Sequence, residues 1–173
     1  MEPMRTYHYL CRARSQVFDW VRPLDCEKWT REFPIGLGTL GRTLTHICIC
    51  EWYYIARMKG EVVPPYAQWP IHDEAPPPFS ELEPVWLRQA EATKAVLAAT
   101  QDWPCPVTYA VTTDAGQRLD VSASKQDIFT QLVLHEVHHR AQAMNMLRQL
   151  GVALRDIDYN ELMYSRRPAS SAR

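Results

Sequence analysis

Nothing in the sequence approaches the roughly 18 consecutive apolar residues that a membrane-crossing helix needs, and no apolar run follows basic residues near the start as a secretory signal would. Neither a membrane partner nor export is expected, which leaves the cytoplasm as the expected location. A surplus of positive charge is also missing: 19 Lys and Arg stand against 20 Asp and Glu, for a formal net charge of −1. Broad attraction to a phosphate backbone needs such a surplus, so nucleic acid is not an expected partner. Paired CxxC spacings are absent, and the 5 cysteines (Cys11, Cys26, Cys48, Cys50 and Cys105) form an odd, scattered set. This argues against a disulfide framework or a thiolate zinc site and for free thiols. There is no internal repeat and no low-complexity tract.

What remains is a chain of 173 residues, 46 % hydrophobic and 23 % charged, enough for one core. We expect a single domain over residues 1–165 and a disordered, small and polar tail over 166–173. The unusual feature is histidine: of 6 in the chain, His135, His138 and His139 fall within five consecutive positions.

Four segments repeat apolar residues at the 3.6-residue period and are too long for strands, so each is read as a helix. The first runs from about Arg5 to Leu24, with Leu10, Ala13, Val17, Trp20, Val21 and Leu24 inward. The second runs from a Thr39 cap to Met58, with Leu40, Leu44, Ile47 and Tyr54 inward and Gly60 as its stop. The third starts at Ser80 through a capping box with Glu83 and has the stripe Leu82, Val85, Trp86, Gln89, Ala92, Val96 and Ala99. The fourth starts near Ser124, with Asp127 completing the box, and continues to Leu150 before Gly151. Between the second and third lies EVVPPYAQWPIHDEAPPPF, whose six prolines exclude helix and central strand. Val107–Val111 and Gln117–Val121 flank a turn at Asp114–Gly116 and read as a hairpin. The expected fold class is therefore all-α: a four-helix bundle with a long Pro-rich crossover between its second and third helices and a small β-hairpin before the fourth.

On the fourth helix Ile128, Leu132, His135, His139, Gln142 and Met146 advance by steps of three and four, so His135 and His139 stand where leucine is expected. Positions four apart share a helix face, close enough for two imidazoles to hold one ion. Two unpaired imidazoles in a core are costly, and a divalent metal satisfies both together. Hydrogen-bonded core histidines are the structural alternative. A third ligand must come from another helix, and His46, at the edge of the second helix's apolar stripe, is the candidate. His8, His72 and His138 are read as bystanders. Cys50, one turn from His46, is read as a small core residue rather than as a thiolate ligand.

The residues His135-Glu136-Val137-His138-His139 also match HExxH, the zinc-peptidase signature with glutamate as general base. Against that reading, the downstream histidine of the longer pattern is absent, only Glu161 stands at a workable distance, and the chain offers one short hairpin. The structural alternative makes Glu136 an exposed residue paired with Arg140. Trp52 and Tyr53 follow His46 and are candidates to wall the site.

The segments HEVHHRAQAMNMLRQLG and DIDYNELMY closely resemble the DinB/YfiT-like family, whose corresponding helix reads H-x-x-H-H-R-G-Q and ends in L-R-x-x-G. THICICEWYYI resembles the family's second helix, which carries one metal histidine; Ala141 departs from the usual glycine. The resemblance implies a four-helix bundle with a three-histidine divalent site, and assigns ligand roles to His46, His135 and His139. It implies a Zn2+ or Ni2+ cofactor and, for activity, metal-dependent enzymes that use low-molecular-weight thiols such as bacillithiol or mycothiol. The expected function is thus a thiol-dependent S-transferase or hydrolase that activates a thiol or water on a small-molecule substrate. A non-catalytic metal-binding stress-response protein is the alternative, an HExxH peptidase ranks third, and a homodimer is expected.

Overall fold

The computed structural model describes residues 2–113 and 115–166. Asp114 of the expected hairpin turn, and residues 167–173 of the expected tail, lie outside the described residues. The elements in order are α1 (Pro3–Val21), α2 (Cys26–Thr30), α3 (Leu40–Met58), α4 (Phe79–Ala99), β1 (Pro106–Thr112), β2 (Arg118–Ser124), α5 (Lys125–Gln149) and α6 (Tyr159–Met163). The structure is mostly helical, with one small antiparallel sheet. α1 packs on α4 and α5, and α3 packs on the same two. All four therefore turn a face to one core, where Tyr7, Leu10, Phe18, Leu44, Trp86, Leu132 and Met146 are buried. Among the described residues no helix is long and apolar enough to cross a membrane.

The helix ends follow local chemistry. α1 begins at Pro3 rather than Arg5, because the Glu2 carboxylate accepts from the backbone of Met4 and Arg5 and proline suits a first turn. It ends at Val21, short of Pro23 and Leu24. Thr39 caps α3 by accepting from Arg42 N at 3.1 Å. The expected box at α5 is formed, with Asp127 N bonded to Ser124 Oγ at 3.0 Å and Ser124 N to Asp127 Oδ2 at 3.3 Å. Because β2 runs directly into this cap, the hairpin fixes where α5 starts. Its register pairs Pro106 with Ser124 and Thr112 with Arg118.

α4 departs from expectation twice. It starts at Phe79 with Pro78 as an N-cap that makes no side-chain cap bond, and Glu83 reaches Arg22 at 2.6 Å instead of closing a box with Ser80. Its buried stripe is Leu82, Trp86, Ala90, Thr93 and Leu97, while Ala92 and Ala99 are exposed. The rotation has a polar cause: Thr93 Oγ1 donates to the buried Glu51 carboxylate on α3 at 2.7 Å. α2 and α6, each of five residues, are too short to show a period, and neither is expected from the sequence.

A buried charge network crosses the core. Glu51 accepts from Tyr7, from Arg14 at 2.7 Å, from Trp86 Nε1 at 3.1 Å and from Thr93. Arg14 also bonds Glu136 at 2.6 Å, and Glu136 meets Arg140, which donates to Tyr9 at 2.6 Å. Two guanidinium groups and two carboxylates balance, so no net charge is left in the low-dielectric interior. The Arg14 guanidinium lies 4.6 Å from the Trp86 ring centre. Together these residues tie α1, α3, α4 and α5.

Residues 59–78 link α3 to α4 with only a 3-10 turn at Tyr66–Gln68. Six prolines limit backbone donors here, and side chains supply the bonds: Trp69 Nε1 to Pro64 O at 2.9 Å and His72 Nε2 to Tyr66 O at 2.9 Å. The fold-back brings Asp73 against α3.

Candidate metal centre

His46 projects from the middle of α3 towards His135 and His139 on α5, and the three rings sit together with centroids 5.0, 4.8 and 4.5 Å apart. The structure therefore clusters the rings of all three histidines singled out from the sequence, but the ligand atoms that lie within 4.8 Å of one another belong to His46, His135 and Cys50, and His139 is outside that set. His46 Nε2 and His135 Nε2 are 3.1 Å apart. Two nitrogens bound to one zinc ion at ordinary bond lengths stand about 3.3 Å apart in a tetrahedron and about 2.9 Å apart at a right angle. The observed separation falls between the two.

The groups behind the rings fix which nitrogens face inward. His46 Nδ1 lies 2.7 Å from Asp73 Oδ2. A carboxylate can only accept, so Nδ1 carries the proton and Nε2 presents a lone pair to His135. Burial raises the Asp73 pKa, but hydrogen bonds from His46 and Tyr66 outweigh it and hold the carboxyl down to about 2. Tyr66 donates to Asp73 Oδ1 and lies 2.7 Å from Glu74 Oε2, anchoring the carboxylate to the crossover. His139 Nδ1 is 2.9 Å from Gln142 Oε1, which turns its Nε2 the other way. Such outer partners orient imidazole ligands and raise their basicity.

Gly36 packs against this support: a Cβ there would lie 2.3 Å from Gln142 Oε1, and its φ of +50° belongs to the left-handed region. The loop before α3 thus holds Gln142 in place. Burial, aided by the neighbouring imidazoles, pushes the His135 pKa down to about 3, and burial lowers that of His139 as well. Both rings are neutral at neutral pH, the form a metal requires. These residues fit a divalent ion: His46 turns a lone pair towards His135 Nε2 3.1 Å away, and His46 and His139 each have an outer partner at Nδ1.

Sequence reasoning missed Asp73, which lies in a stretch with no period to place it. It also discounted Cys50. His46 Nε2, Cys50 Sγ and His135 supply ligand atoms that all lie within 4.8 Å of one another, a set that fits a metal-binding role. Trp52 and Tyr53, the candidates to wall the site, both pack on Trp69, with centroids 5.1 and 5.8 Å away. Tyr54 borders His135 instead, at 5.6 Å, and Gln131 lies 3.4 Å from its hydroxyl. His8 is exposed, His72 bonds Tyr66, and His138 is exposed beside Gln142.

Within the HExxH segment the two histidines share a face of α5, but Glu136 is not placed as a free base. Glu136 is 3 % exposed rather than on the surface, and both of its oxygens are engaged by Arg14 and Arg140 on the core side of α5. Its pairing with Arg140 is as expected; its exposure is not. Glu161 pairs with Arg166 at 2.6 Å.

Comparison with solved structures finds a crystal structure of a DinB-like protein from Bacillus cereus ATCC 10987, at a TM-score of 0.60 and 17 % identity, covering 87 % of this chain and 94 % of that one. At that identity the likeness concerns the fold. No curated protein matches the chain. The DinB family model matches residues 2–170. With helices, hairpin and histidine cluster all inside that span, the chain belongs to the DinB family.

Proposed function

We propose that the protein is a metal-dependent enzyme, a thiol-dependent S-transferase or hydrolase, with Zn2+ or Ni2+ held by His46, His135 and His139. The observation that carries this reading is the 3.1 Å approach of His46 Nε2 to His135 Nε2 while Asp73 occupies His46 Nδ1. At 3.1 Å the two nitrogens have either a proton or a cation between them, and the carboxylate behind His46, by raising the basicity of its ring, supports the cation. Bound there, a divalent ion supplies Lewis acidity and lowers the pKa of a coordinated thiol or water. The chain's own residues set the conditions. Asp73 and Gln142 orient the rings, and Tyr54 covers one side of His135. Neutral imidazoles add no charge of their own, so an ion keeps its attraction for an anionic thiol without a basic surface.

The experiment is a screen of metal-loaded protein with low-molecular-weight thiols against electrophilic small molecules. Metal-dependent turnover that disappears in His135→Ala is expected. Stoichiometric metal without turnover for any thiol or for water favours the second reading, a non-catalytic metal-binding protein. That reading draws support from Leu134 and Val137, 60 % and 38 % exposed on α5, an apolar pair suited to a homodimer contact.

A further inference from the structure

We propose that Cys50 is a further ligand of this centre, so that the ion is held by a His-x-x-x-Cys clip on α3 facing the His-x-x-x-His clip on α5, with the thiol or water of the proposed reaction entering as an additional, fifth ligand. The inference rests on the metal-centre reading above and adds to it a donor that composition and motif spacing did not assign. Cys50 follows His46 by one helical turn, so both side chains leave α3 on one face. Its sulfur stands 3.6 Å from His46 Nε2 and 3.9 Å from Nδ1. The nearer nitrogen is the one that Asp73 leaves free. For Zn–S of about 2.3 Å and Zn–N of about 2.05 Å, a tetrahedral ion sets sulfur and nitrogen about 3.6 Å apart. The sulfur, His46 Nε2 and the His135 nitrogen thus have the mutual spacing of ligands on one ion.

The neighbours support a ligand role over simple packing. Cys48, two positions away, is buried among the apolar core residues, whereas Cys50 is half-buried on the histidine side. Asp73, the carboxylate near the cluster, is occupied by His46 and Tyr66, leaving the thiol as the remaining soft donor. Coordination forms a metal–sulfur bond and releases the thiol proton to solvent, with no change of oxidation state. A thiolate lowers the net charge of the centre by one and, being soft, favours Zn2+ over Mg2+, Ca2+ or Mn2+.

The test is titration of the intact, metal-stripped protein with Co2+, followed by absorption. The parent protein should show visible ligand-field bands together with a near-ultraviolet thiolate-to-cobalt charge-transfer band. Cys50→Ser should lose the charge-transfer band, keep weaker ligand-field bands, and bind Co2+ about tenfold or more less tightly. Cys26→Ser, a change on the exposed surface of α2, should leave the spectrum unaltered. Ligand-field bands without a charge-transfer band in the parent protein would overturn the Cys50 assignment and leave the three-histidine reading standing. Absence of any Co2+ bands would overturn both. The parent spectrum decides the point even if the serine variant folds poorly.

Discussion

Replacing Glu136 with glutamine separates the buried network from the metal centre. In the structure this carboxylate, its side chain 4 % exposed, accepts from Arg14 at 2.6 Å and from Arg140 at 3.4 Å. Glu136→Gln leaves two buried guanidinium groups facing Glu51 as the one nearby buried carboxylate, a net positive charge in the core. Breaking a buried pair in this way costs about 3–5 kcal/mol. The amide oxygen still accepts one bond and Arg140 keeps Tyr9, so the low end, about 3 kcal/mol, is expected. For a chain of this size each kcal/mol moves Tm by about 2–4 °C, giving a fall of about 6–12 °C. Thermal and urea unfolding, run beside metal analysis, should show that loss with metal content unchanged. A variant within about 2 °C of the parent that has lost metal-dependent activity would refute the reasoning and return Glu136 to the site as a base.

Asp73→Ala removes the acceptor from His46 Nδ1 and should weaken Zn2+ binding about 10- to 100-fold in competition with a chromophoric chelator, with little change in Tm. Unchanged affinity would show that the carboxylate does not orient the ring. Alkaline pH should destabilise the fold: burial, the largest cause in each case, raises Tyr7 and Cys11 and pushes Cys48 up to about 12. For groups raised in the folded state, stability is complete below the unfolded pKa and is lost as pH rises through the folded value. Urea midpoints should therefore hold up to about pH 8 and fall progressively above about pH 9. A flat profile to pH 11 would contradict the burial of these groups.

The parts of the molecule legible in sequence were those governed by helical period. His135 and His139 interrupt an apolar stripe at a spacing that only a shared face explains, and His46 sits beside Ile47 at the edge of another. Caps at Thr39 and Ser124 are local chemistry and were readable for the same reason. Asp73 reaches the site through a Pro-rich fold-back whose path depends on tertiary contacts such as Tyr66 to Asp73. Arg14 and Glu51 did carry a signal, since each lies three or four positions from buried neighbours: Leu10 and Val17 for one, Ile47 and Ile55 for the other. A charged residue at such a position reads as surface until its partner on another helix is known. The same partner, Glu51, turns α4 towards Thr93, which the pattern Val85–Gln89–Ala92 could not disclose.

The central claim is that α3 and α5 together hold a divalent ion, and an X-ray absorption edge scan with anomalous maps on crystals of protein purified without added histidines tests it most directly. The account predicts a single anomalous peak about 2.1 Å from His46 Nε2 and His135 Nε2, lost in His135→Ala. A map with no peak between α3 and α5 in metal-replete protein, or a full peak retained in His135→Ala, would contradict it.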